Sequence, residues 1–311
     1  MTNIDFLIIG AGAAGLTAAL YGARSRLSTV VIDGAGSGGQ ALQIADLENY
    51  PGVFPAVNGY ELAAKMQAQA EAFGAKVVQT NALSLEKKPD AFIVATEAET
   101  YAAEAVLIAT GAEHRMLGVP GEKELAGRGV SYCAVCDGPF FRNKKIVVVG
   151  GGDSACTEAL YLSEIAENVV LVHRRDTLRA QQVSIDRINA SGKISVEYNT
   201  AVKEIKAGAN GAVGSVLLEN RTDGAVKEIA ANGVFVFVGM KPRTDLVEDV
   251  EKDEAGYIKT DERMRTSIEG LFAAGDIRAK PLRQLITAAS DGAIAAFAAE
   301  KYIAGLTRGK K

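Results

Sequence analysis

The feature that most constrains the fold is an internal repeat. The segment DFLIIGAGAAGLTAAL at residues 5–20 has the same pattern as KIVVVGGGDSACTEAL at residues 145–160: an apolar strand, a glycine loop and an Ala- and Leu-rich helix. A second apolar run follows each copy and ends at Asp33 in the first and at Arg175 in the second. The interval from Gly10 to Asp33 equals that from Gly150 to His173. Two βαβ units and an α/β fold are therefore predicted.

Both glycine loops have the spacing of a dinucleotide-binding turn. In G-x-G-x-x-G/A the first glycine makes a tight turn, the second lets the backbone approach a pyrophosphate, and the third position lets helix and strand pack closely. These positions are filled by Gly10, Gly12 and Gly15 in the first copy and by Gly150, Gly152 and Ala155 in the second. The N-terminus of each following helix favours phosphate through its free N–H groups and its dipole. We expect two Rossmann-like nucleotide-binding domains.

The two copies differ where the second strand ends. Asp33 can accept hydrogen bonds from ribose hydroxyls and would repel a 2′-phosphate, which fits FAD or NAD. The second copy has HRRDTLR instead, with His173, Arg174, Arg175 and Arg179 and no acid at the strand end. Because arginine clusters bind phosphate in a bidentate manner, this copy should prefer NADPH to NADH. A flavin in the first copy and NADPH in the second form the natural pair.

Two of the three cysteines, Cys133 and Cys136, lie in the stretch SYCAVCDGPF. The spacing alone allows half a zinc site, a redox dithiol, a structural disulfide or chance. Only one further cysteine and two histidines are present, which disfavours a four-ligand zinc site, and we expect no metal. Asp137 is close enough in sequence to move a proton during thiol chemistry. We expect Cys156 to be a small buried residue and His114 to belong to a linker.

Length and charge limit the class of protein. A chain of 311 residues favours two domains over one. A net charge of −4 and a pI near 5.5 do not favour a nucleic-acid partner. Asp5 stands where a signal peptide needs positive charge, and charged residues interrupt the C-terminal apolar run. We therefore expect no membrane association and a cytoplasmic location.

Four stretches together resemble the low-molecular-weight thioredoxin reductases: SYCAVCDGPFF, VVGGGDSACTEALYLSEIA, VHRRDTLRA and GLFAAGDIRAKPLRQLITAASDGAIAA. The resemblance covers nearly the whole chain in order. It implies an FAD domain that is discontinuous in sequence, over residues 1–115 and 244–311. It places an inserted NADPH domain with the dithiol at residues 116–243. It also implies a homodimer and thioredoxin as the protein substrate.

The same resemblance implies roles for individual residues. Cys136 would face the flavin, Cys133 would attack the protein substrate, and Asp137 would serve as the acid. The implied FAD contacts are Gly10, Gly12, Gly15, Asp33, Gly38, Gly39, Gln40, Asn49, Gly275, Asp276, Arg283 and Gln284. The implied NADPH contacts are Gly152, Ser154, Ala155, His173, Arg174, Arg175 and Arg179.

The predicted function is that of a thioredoxin-disulfide reductase, an NADPH-dependent flavoprotein that passes electrons through FAD and the Cys133/Cys136 dithiol. A near alternative keeps this chemistry and replaces the substrate by another thioredoxin-like or peroxiredoxin-linked carrier protein. A different alternative is a redox-sensing protein that binds NADPH without turnover. The intact Cys-x-x-Cys-Asp motif disfavours that last alternative.

Overall fold

The computed structural model describes residues 1–44, Leu47 and residues 49–309. The chain forms two compact units, of which the first comprises Met1–Glu113 with Lys241–Lys311 and the second comprises His114–Met240. The first unit is therefore discontinuous in sequence and the second is inserted into it.

The strand–helix–strand pattern of the sequence repeat occurs twice along the chain, as β1–α1–β2 and as β9–α4–β10 in the numbering that follows. The elements are β1 (Thr2–Ile9), α1 (Ala13–Arg24), β2 (Thr29–Ile32), α2 (Gly59–Ala72), β3 (Lys76–Val78), β4 (Ala82–Lys87), β5 (Phe92–Thr96), β6 (Thr100–Ile108), β7 (Ala112–His114), β8 (Val130–Ser131), α3 (Ala134–Asp137), β9 (Lys145–Gly150), α4 (Asp153–Ile165), β10 (Asn168–Val172), α5 (Gln182–Ala190), β11 (Ile194–Glu197), β12 (Thr200–Ala207), β13 (Val213–Asn220), β14 (Val226–Ala230), β15 (Gly233–Phe237), β16 (Met240–Pro242), β17 (Leu271–Ala273) and α6 (Leu285–Gly309). Short 3₁₀ turns cover Gly39–Gln43 and Gly138–Phe141.

The main sheet of the first unit has the strand order β3-β2-β1-β6-β5-β4, and β17 pairs with the end of β6. Strands β1, β2, β3, β6 and β17 are parallel, whereas β4, β5 and the start of β6 pair antiparallel. Strand β1 is apolar at consecutive positions because both faces of the sheet are buried. Phe6 and Ile8 pack with residues of α1 and α6, whereas Leu7 and Ile9 pack with Val247 and other residues that precede β17.

The second unit repeats this layering. Its parallel sheet has the order β11-β10-β9-β15-β8. Ile146 and Val148 of β9 pack on Leu162 of α4. On the other face, Val147 packs with Val216 of the antiparallel sheet β12-β13-β14. Each copy of the sequence repeat thus forms a strand, a helix and a second parallel strand, which confirms the predicted α/β class with two Rossmann-like units.

Strands β7 and β16 pair with each other where the chain passes between the units. In the described part of the chain, no helix has both the length and the apolar character that a membrane-spanning segment requires.

Candidate active site and nucleotide-binding loops

The first glycine loop uses its three glycines in different ways. Gly10 has a φ of +111°, and a Cβ there would lie 2.3 Å from the Ala109 carbonyl oxygen. A Cβ on Gly15 would lie 1.8 Å from the Gly10 carbonyl oxygen, so only glycine lets α1 pack this closely on the loop. A Cβ on Gly12 would meet no protein atom within 4 Å. The loop therefore has a tight turn, a close helix contact and an open backbone position.

The N-terminus of helix α1 follows this open position. Gly12 is its N-cap residue, no side chain of the described residues caps it, and the first turn contains no acidic residue. Helix α2 differs, because the Asn58 side chain accepts a hydrogen bond of 2.8 Å from the Glu61 N–H. The first-turn N–H groups of α1 and the positive end of its dipole are thus suited to an anion such as a pyrophosphate.

Asp33 connects the end of β2 to the glycine loop. One carboxylate oxygen accepts a hydrogen bond of 2.8 Å from the Ala11 N–H, and the other accepts one of 2.9 Å from the Ala35 N–H. Each oxygen keeps a further lone pair with which it could accept a ribose hydroxyl. Gly38 lies beside the same loop, because its N–H donates to the Ala11 carbonyl over 2.8 Å. A Cβ on Gly39 would lie 3.5 Å from the Gly12 Cα.

The residues after β17 reach the start of helix α1. Gly275 has a φ of +82°, and a Cβ there would lie 2.9 Å from the Ala14 Cβ. The next residue, Asp276, has a buried Oδ1 without a hydrogen-bond partner among the described residues. The predicted FAD contacts Gly10, Gly12, Gly15, Asp33, Gly38, Gly39 and Gly275 thus lie together around the N-terminus of α1. They are at the carboxyl ends of parallel strands, where α/β folds bind nucleotides.

The remaining predicted FAD contacts are anchored by their own hydrogen bonds. The Gln40 side chain donates to the Ala112 carbonyl over 2.6 Å. The Asn49 amide donates to the Gln284 side-chain oxygen over 3.1 Å, which joins two residues far apart in sequence. The Arg283 guanidinium lies 3.8 Å above the Tyr257 ring, and its Nε is buried without a hydrogen-bond partner in the described structure.

The second glycine loop is hydrogen-bonded to the arginine-containing segment. Gly150 has a φ of +153°, and a Cβ there would lie 2.4 Å from the Phe237 carbonyl oxygen. Gly152 is again open, with no protein atom within 4 Å of a Cβ position, and is the N-cap of α4 without a side-chain cap bond. The Arg179 N–H donates to the Gly151 carbonyl over 2.6 Å. This bond places Arg179, at the end of the HRRDTLR segment, against the loop that precedes α4.

His173 is buried against this loop. A Cβ on Gly151 would lie 2.1 Å from the His173 Nδ1, so the ring occupies the space that a side chain there would need. Burial lowers the pKa of the His173 imidazole, and the nearby Arg179 and Arg175 charges lower it further. Its Nε2 has no hydrogen-bond partner in the described structure. The lowered pKa therefore favours the neutral form of the ring at pH 7.

The predicted phosphate-binding arginines are exposed. Arg174, Arg175 and Arg179 all have exposed side chains, and no carboxylate of the described residues forms an ion pair with them. Their guanidinium groups are thus available to a phosphate next to the second glycine loop.

The dithiol segment lies in the same unit as the second glycine loop. Cys133 is half-buried and disulfide-bonded, and it directly precedes the short helix α3. The Ser131 hydroxyl accepts a hydrogen bond of 3.0 Å from the Cys133 N–H, and the Asp137 N–H donates to the Cys133 carbonyl over 3.2 Å. The side chain of Cys136 lies outside the described part of the structure. The predicted acid, Asp137, is half-buried on the same helix turn as the dithiol.

Cys156 and His114 lie outside the dithiol, and burial shifts the pKa of each side chain. Cys156 is free and fully buried on α4, and burial together with the Asp153 charge raises the pKa of its thiol to about 11. The thiol is thus unreactive, and the predicted small buried residue is confirmed.

Burial lowers the pKa of His114, whose ring centroid lies 6.1 Å from that of Tyr132. Within the described residues, no group of three or more His, Cys, Asp or Glu side chains could hold a metal ion.

A buried carboxylate next to the dithiol was not singled out from the sequence. Glu122 is completely buried and accepts hydrogen bonds from the Leu117 N–H at 2.8 Å and the Gly118 N–H at 2.7 Å. It also accepts one of 2.8 Å from the Tyr132 hydroxyl. Burial and this hydrogen bond raise the pKa of the Tyr132 phenol. Glu122 thus ties residues after β7 to the residue before Cys133, although its polar sequence context, PGEKE, is typical of an exposed turn.

Comparison with known proteins gives consistent matches along the chain. The family model described as pyridine nucleotide-disulphide oxidoreductase matches residues 4–293. A thioredoxin reductase from Treponema pallidum (strain Nichols) is 52% identical over 302 residues, which cover 97% of this chain and 98% of that protein. A thioredoxin reductase from Bacillus subtilis (strain 168) is 48% identical over 300 residues, covering 96% of this chain and 94% of that protein.

A solved structure agrees with these sequence matches. The crystal structure of Lactococcus lactis thioredoxin reductase, in the conformation named FR, matches with a TM-score of 0.91 and 44% sequence identity. The match covers 97% of this chain and 99% of that chain. The resemblance inferred from the sequence motifs is thereby confirmed, and the chain belongs to the pyridine nucleotide-disulphide oxidoreductase family.

Proposed function

We propose that the protein is a thioredoxin-disulfide reductase that uses NADPH and FAD. The observation that carries the proposal is the Cys133 disulfide at the start of α3, in the unit that also presents an open glycine loop with unpaired arginines. The relatives named thioredoxin reductase, which align over nearly the full length of this chain, support thioredoxin as the substrate.

The first unit fits FAD. Gly12 leaves open backbone at the N-terminus of α1, where the N–H groups would hold the pyrophosphate. Asp33 would accept ribose hydroxyls with its remaining lone pairs. The buried oxygens of Ser37 and Asp276 have no hydrogen-bond partner among the described residues, which is the state expected of acceptors that a ligand satisfies. Gln40, Asn49, Arg283 and Gln284 complete the proposed set of contacts.

The second unit fits NADPH. The N–H groups after Gly152, including those of Ser154 and Ala155, would hold the pyrophosphate of the nicotinamide nucleotide. The exposed guanidinium groups of Arg174, Arg175 and Arg179 would bind the 2′-phosphate that distinguishes NADPH from NADH. Because its lowered pKa favours the neutral form, His173 would act by packing or by a hydrogen bond from or to its Nε2.

When bound, FAD supplies a group that can take an electron pair from NADPH and deliver it to a disulfide. The chain's own part in the reaction is thiol exchange. In the reduced protein, the Cys133 thiolate attacks one sulfur of the thioredoxin disulfide and expels the other sulfur as a thiolate. Cys136 then attacks Cys133, which re-forms the protein disulfide and releases the second thioredoxin thiolate. Asp137, on the same helix turn, transfers the protons that these thiols lose and gain.

The proposal includes the assembly and the location of the protein. A homodimer is proposed from the resemblance in sequence. A cytoplasmic location is proposed from the cysteine usage, because the thiol of Cys156 is free and the remaining cysteines form a redox pair rather than a disulfide framework.

The test follows flavin absorbance in the purified holoenzyme. The flavin is reduced with NADPH without oxygen, and oxidised thioredoxin is then added to the parent and to the Cys133→Ser variant. Cys156→Ser, which changes a buried cysteine outside the proposed relay, is the matched control. We expect reoxidation in the parent and the control and none in Cys133→Ser. Reduction by NADPH without reoxidation by thioredoxin would contradict the proposed substrate and favour another carrier protein with the same chemistry.

A further inference from the structure

A group of charged side chains is buried behind the loop that follows β17. We call Arg278, Lys280 and Asp291 the Asp291 cluster. The Arg278 guanidinium lies 2.8 Å from Asp291 Oδ1, and the Lys280 ammonium lies 3.0 Å from Asp291 Oδ2. The exposed fractions of the three side chains are 11%, 7% and 10%. The nucleotide-binding pattern in the sequence assigned none of these residues a role.

Asp291 also fixes the backbone of this loop. Its Oδ2 accepts a hydrogen bond of 3.0 Å from the Gly275 N–H in the buried interior. Arg278 is fixed in turn, because its Nε donates to the Thr260 hydroxyl over 2.7 Å. The carboxylate of helix α6 therefore connects two cations and the loop backbone that leads into Asp276. A buried charge is stable only with such complete pairing.

Lys280 connects this cluster to Asp276. Its ammonium lies 3.5 Å from Asp276 Oδ1, the buried oxygen that has no hydrogen-bond partner in the described structure. Burial raises the pKa of the Asp276 carboxyl, and the nearby Lys280 charge opposes that effect most strongly. Arg283 lowers this pKa further and Asp291 raises it. Helix α1, whose Ala14 adjoins Gly275, contributes no ionisable side chain before Tyr21.

Arg283 has other direct partners. Its terminal nitrogen donates to the Arg278 carbonyl over 3.2 Å, and its guanidinium stacks on Tyr257. Among the described residues, Lys280 is the cation that forms an ion pair with Asp276, and Asp291 holds it there.

We propose that Lys280 is a positioning residue for the flavin: held by Asp291, its ammonium fixes the Asp276 carboxylate as a hydrogen-bond acceptor for FAD. The inference rests on the proposed function, in which Asp276 contacts FAD. It also explains why a lysine is buried in this loop. The Lys280 charge opposes the rise in pKa that burial causes in the Asp276 carboxyl, and so favours its anionic, accepting form.

A purely structural role predicts something different. Lys280→Met removes the ammonium and leaves the Arg278–Asp291 pair and the Asp291–Gly275 hydrogen bond in place. A loop that needed Lys280 only for stability would melt earlier in this variant and bind FAD as before. A positioning role predicts weaker FAD binding whose deficit depends on pH. The pH dependence arises because Asp276 without its cation takes up a proton at higher pH, and a protonated carboxyl is a poorer acceptor.

The experiment measures FAD release from the holoenzyme. Wild type, Lys280→Met, Lys280→Arg and the control Lys259→Met are diluted stepwise, and the fluorescence of released FAD gives the dissociation constant at neutral and at mildly acidic pH. The control removes an exposed lysine paired with Glu251 over 2.9 Å in the same unit. We expect Lys280→Met to raise the dissociation constant about tenfold at neutral pH, the effect of one hydrogen bond to a charged group. The deficit should grow as the pH falls, Lys280→Arg should recover most of the affinity, and the control should match wild type.

The outcomes separate this inference from the proposed function. Dissociation constants of Lys280→Met within about twofold of wild type at both pH values would overturn the inference while FAD binding itself stands. If Lys280→Met does not fold, Lys280→Gln provides the test, because its amide can still donate to Asp291 and it lacks the positive charge beside Asp276. Unchanged FAD affinity in Lys280→Gln would likewise overturn the inference. A wild-type protein that binds no FAD would overturn the proposed function.

Discussion

Replacing Glu122 by glutamine should loosen the segment that leads from β7 toward the dithiol. In the structure the carboxylate accepts three hydrogen bonds, two from the Leu117 and Gly118 N–H groups and one from the Tyr132 hydroxyl. The amide oxygen of glutamine can keep the bonds from Leu117 and Tyr132. Its NH₂ group would then face the Gly118 N–H, which loses its acceptor in a buried site. An unsatisfied buried donor costs about 1–3 kcal/mol, and a value of about 2 kcal/mol corresponds to a roughly 30-fold shift in local opening.

Amide hydrogen exchange measures this opening directly. We expect the Leu117 and Gly118 amides to exchange about 30-fold faster in Glu122→Gln than in the parent, when followed by mass spectrometry of short peptides. Glu124→Gln is the control, because Glu124 is exposed and lies only two residues away. Exchange in Glu122→Gln that matches the Glu124→Gln control would refute the reasoning, since it would mean that the carboxylate does not hold these amides.

Three further predictions follow from the loops and the histidines. Arg175→Ala should raise KM for NADPH about tenfold or more and leave KM for NADH nearly unchanged, because only the 2′-phosphate loses a contact. Steady-state kinetics with both nucleotides measure this, and an equal rise in both KM values would contradict it. Gly15→Ala should yield protein with little flavin, measured as absorbance per chain, because the added Cβ would lie 1.8 Å from the Gly10 carbonyl oxygen; a normal flavin content would count against this packing. The folded pKa values of His114 and His173 are lowered from 6.5 by burial, so the unfolded chain binds more protons and the free energy of unfolding falls as the pH drops through 6.5. Proton NMR titration should place both histidine midpoints below 6.5, and a midpoint above that value for either ring would disprove the assignment.

The repeat could be predicted because its signals are local. An apolar run, a glycine at a fixed step and a helix-forming segment each follow from the conformational limits of a few neighbouring residues. At Gly10 and Gly15 a Cβ atom would clash with a backbone carbonyl, so only glycine fits, and this makes both positions recognisable in the sequence. The same holds for the dithiol, whose spacing places Cys133 directly before the short helix α3 and Cys136 within it. For the inserted order of the two units, the resemblance in sequence was needed, since no local pattern indicates which strands share a sheet.

Glu122, Lys280 and Asp291 could not be predicted in the same way. Each is a charged residue in a polar or mixed stretch, and such residues are usually exposed. Their burial depends on contacts with residues distant in sequence, such as the Gly275 N–H for Asp291, 16 positions away. Hydrophobic periodicity indicates which face of a helix or strand is buried. It gives no signal for a single buried charged side chain whose hydrogen bonds come from the backbone of a loop.

By itself, the sequence determined the chemical groups of this protein. They are two dinucleotide-binding loops, an aspartate at the end of β2, arginines after β10, and a Cys-x-x-Cys-Asp motif. The tertiary structure alone decided how these groups are held. In the folded chain the Arg179 N–H of the HRRDTLR segment is bonded to Gly151 of the second glycine loop, and Lys280 is buried between the Asp276 and Asp291 carboxylates. The physical reason is that backbone conformation is encoded by near neighbours, whereas burial and the pairing of charges arise only when distant segments pack together.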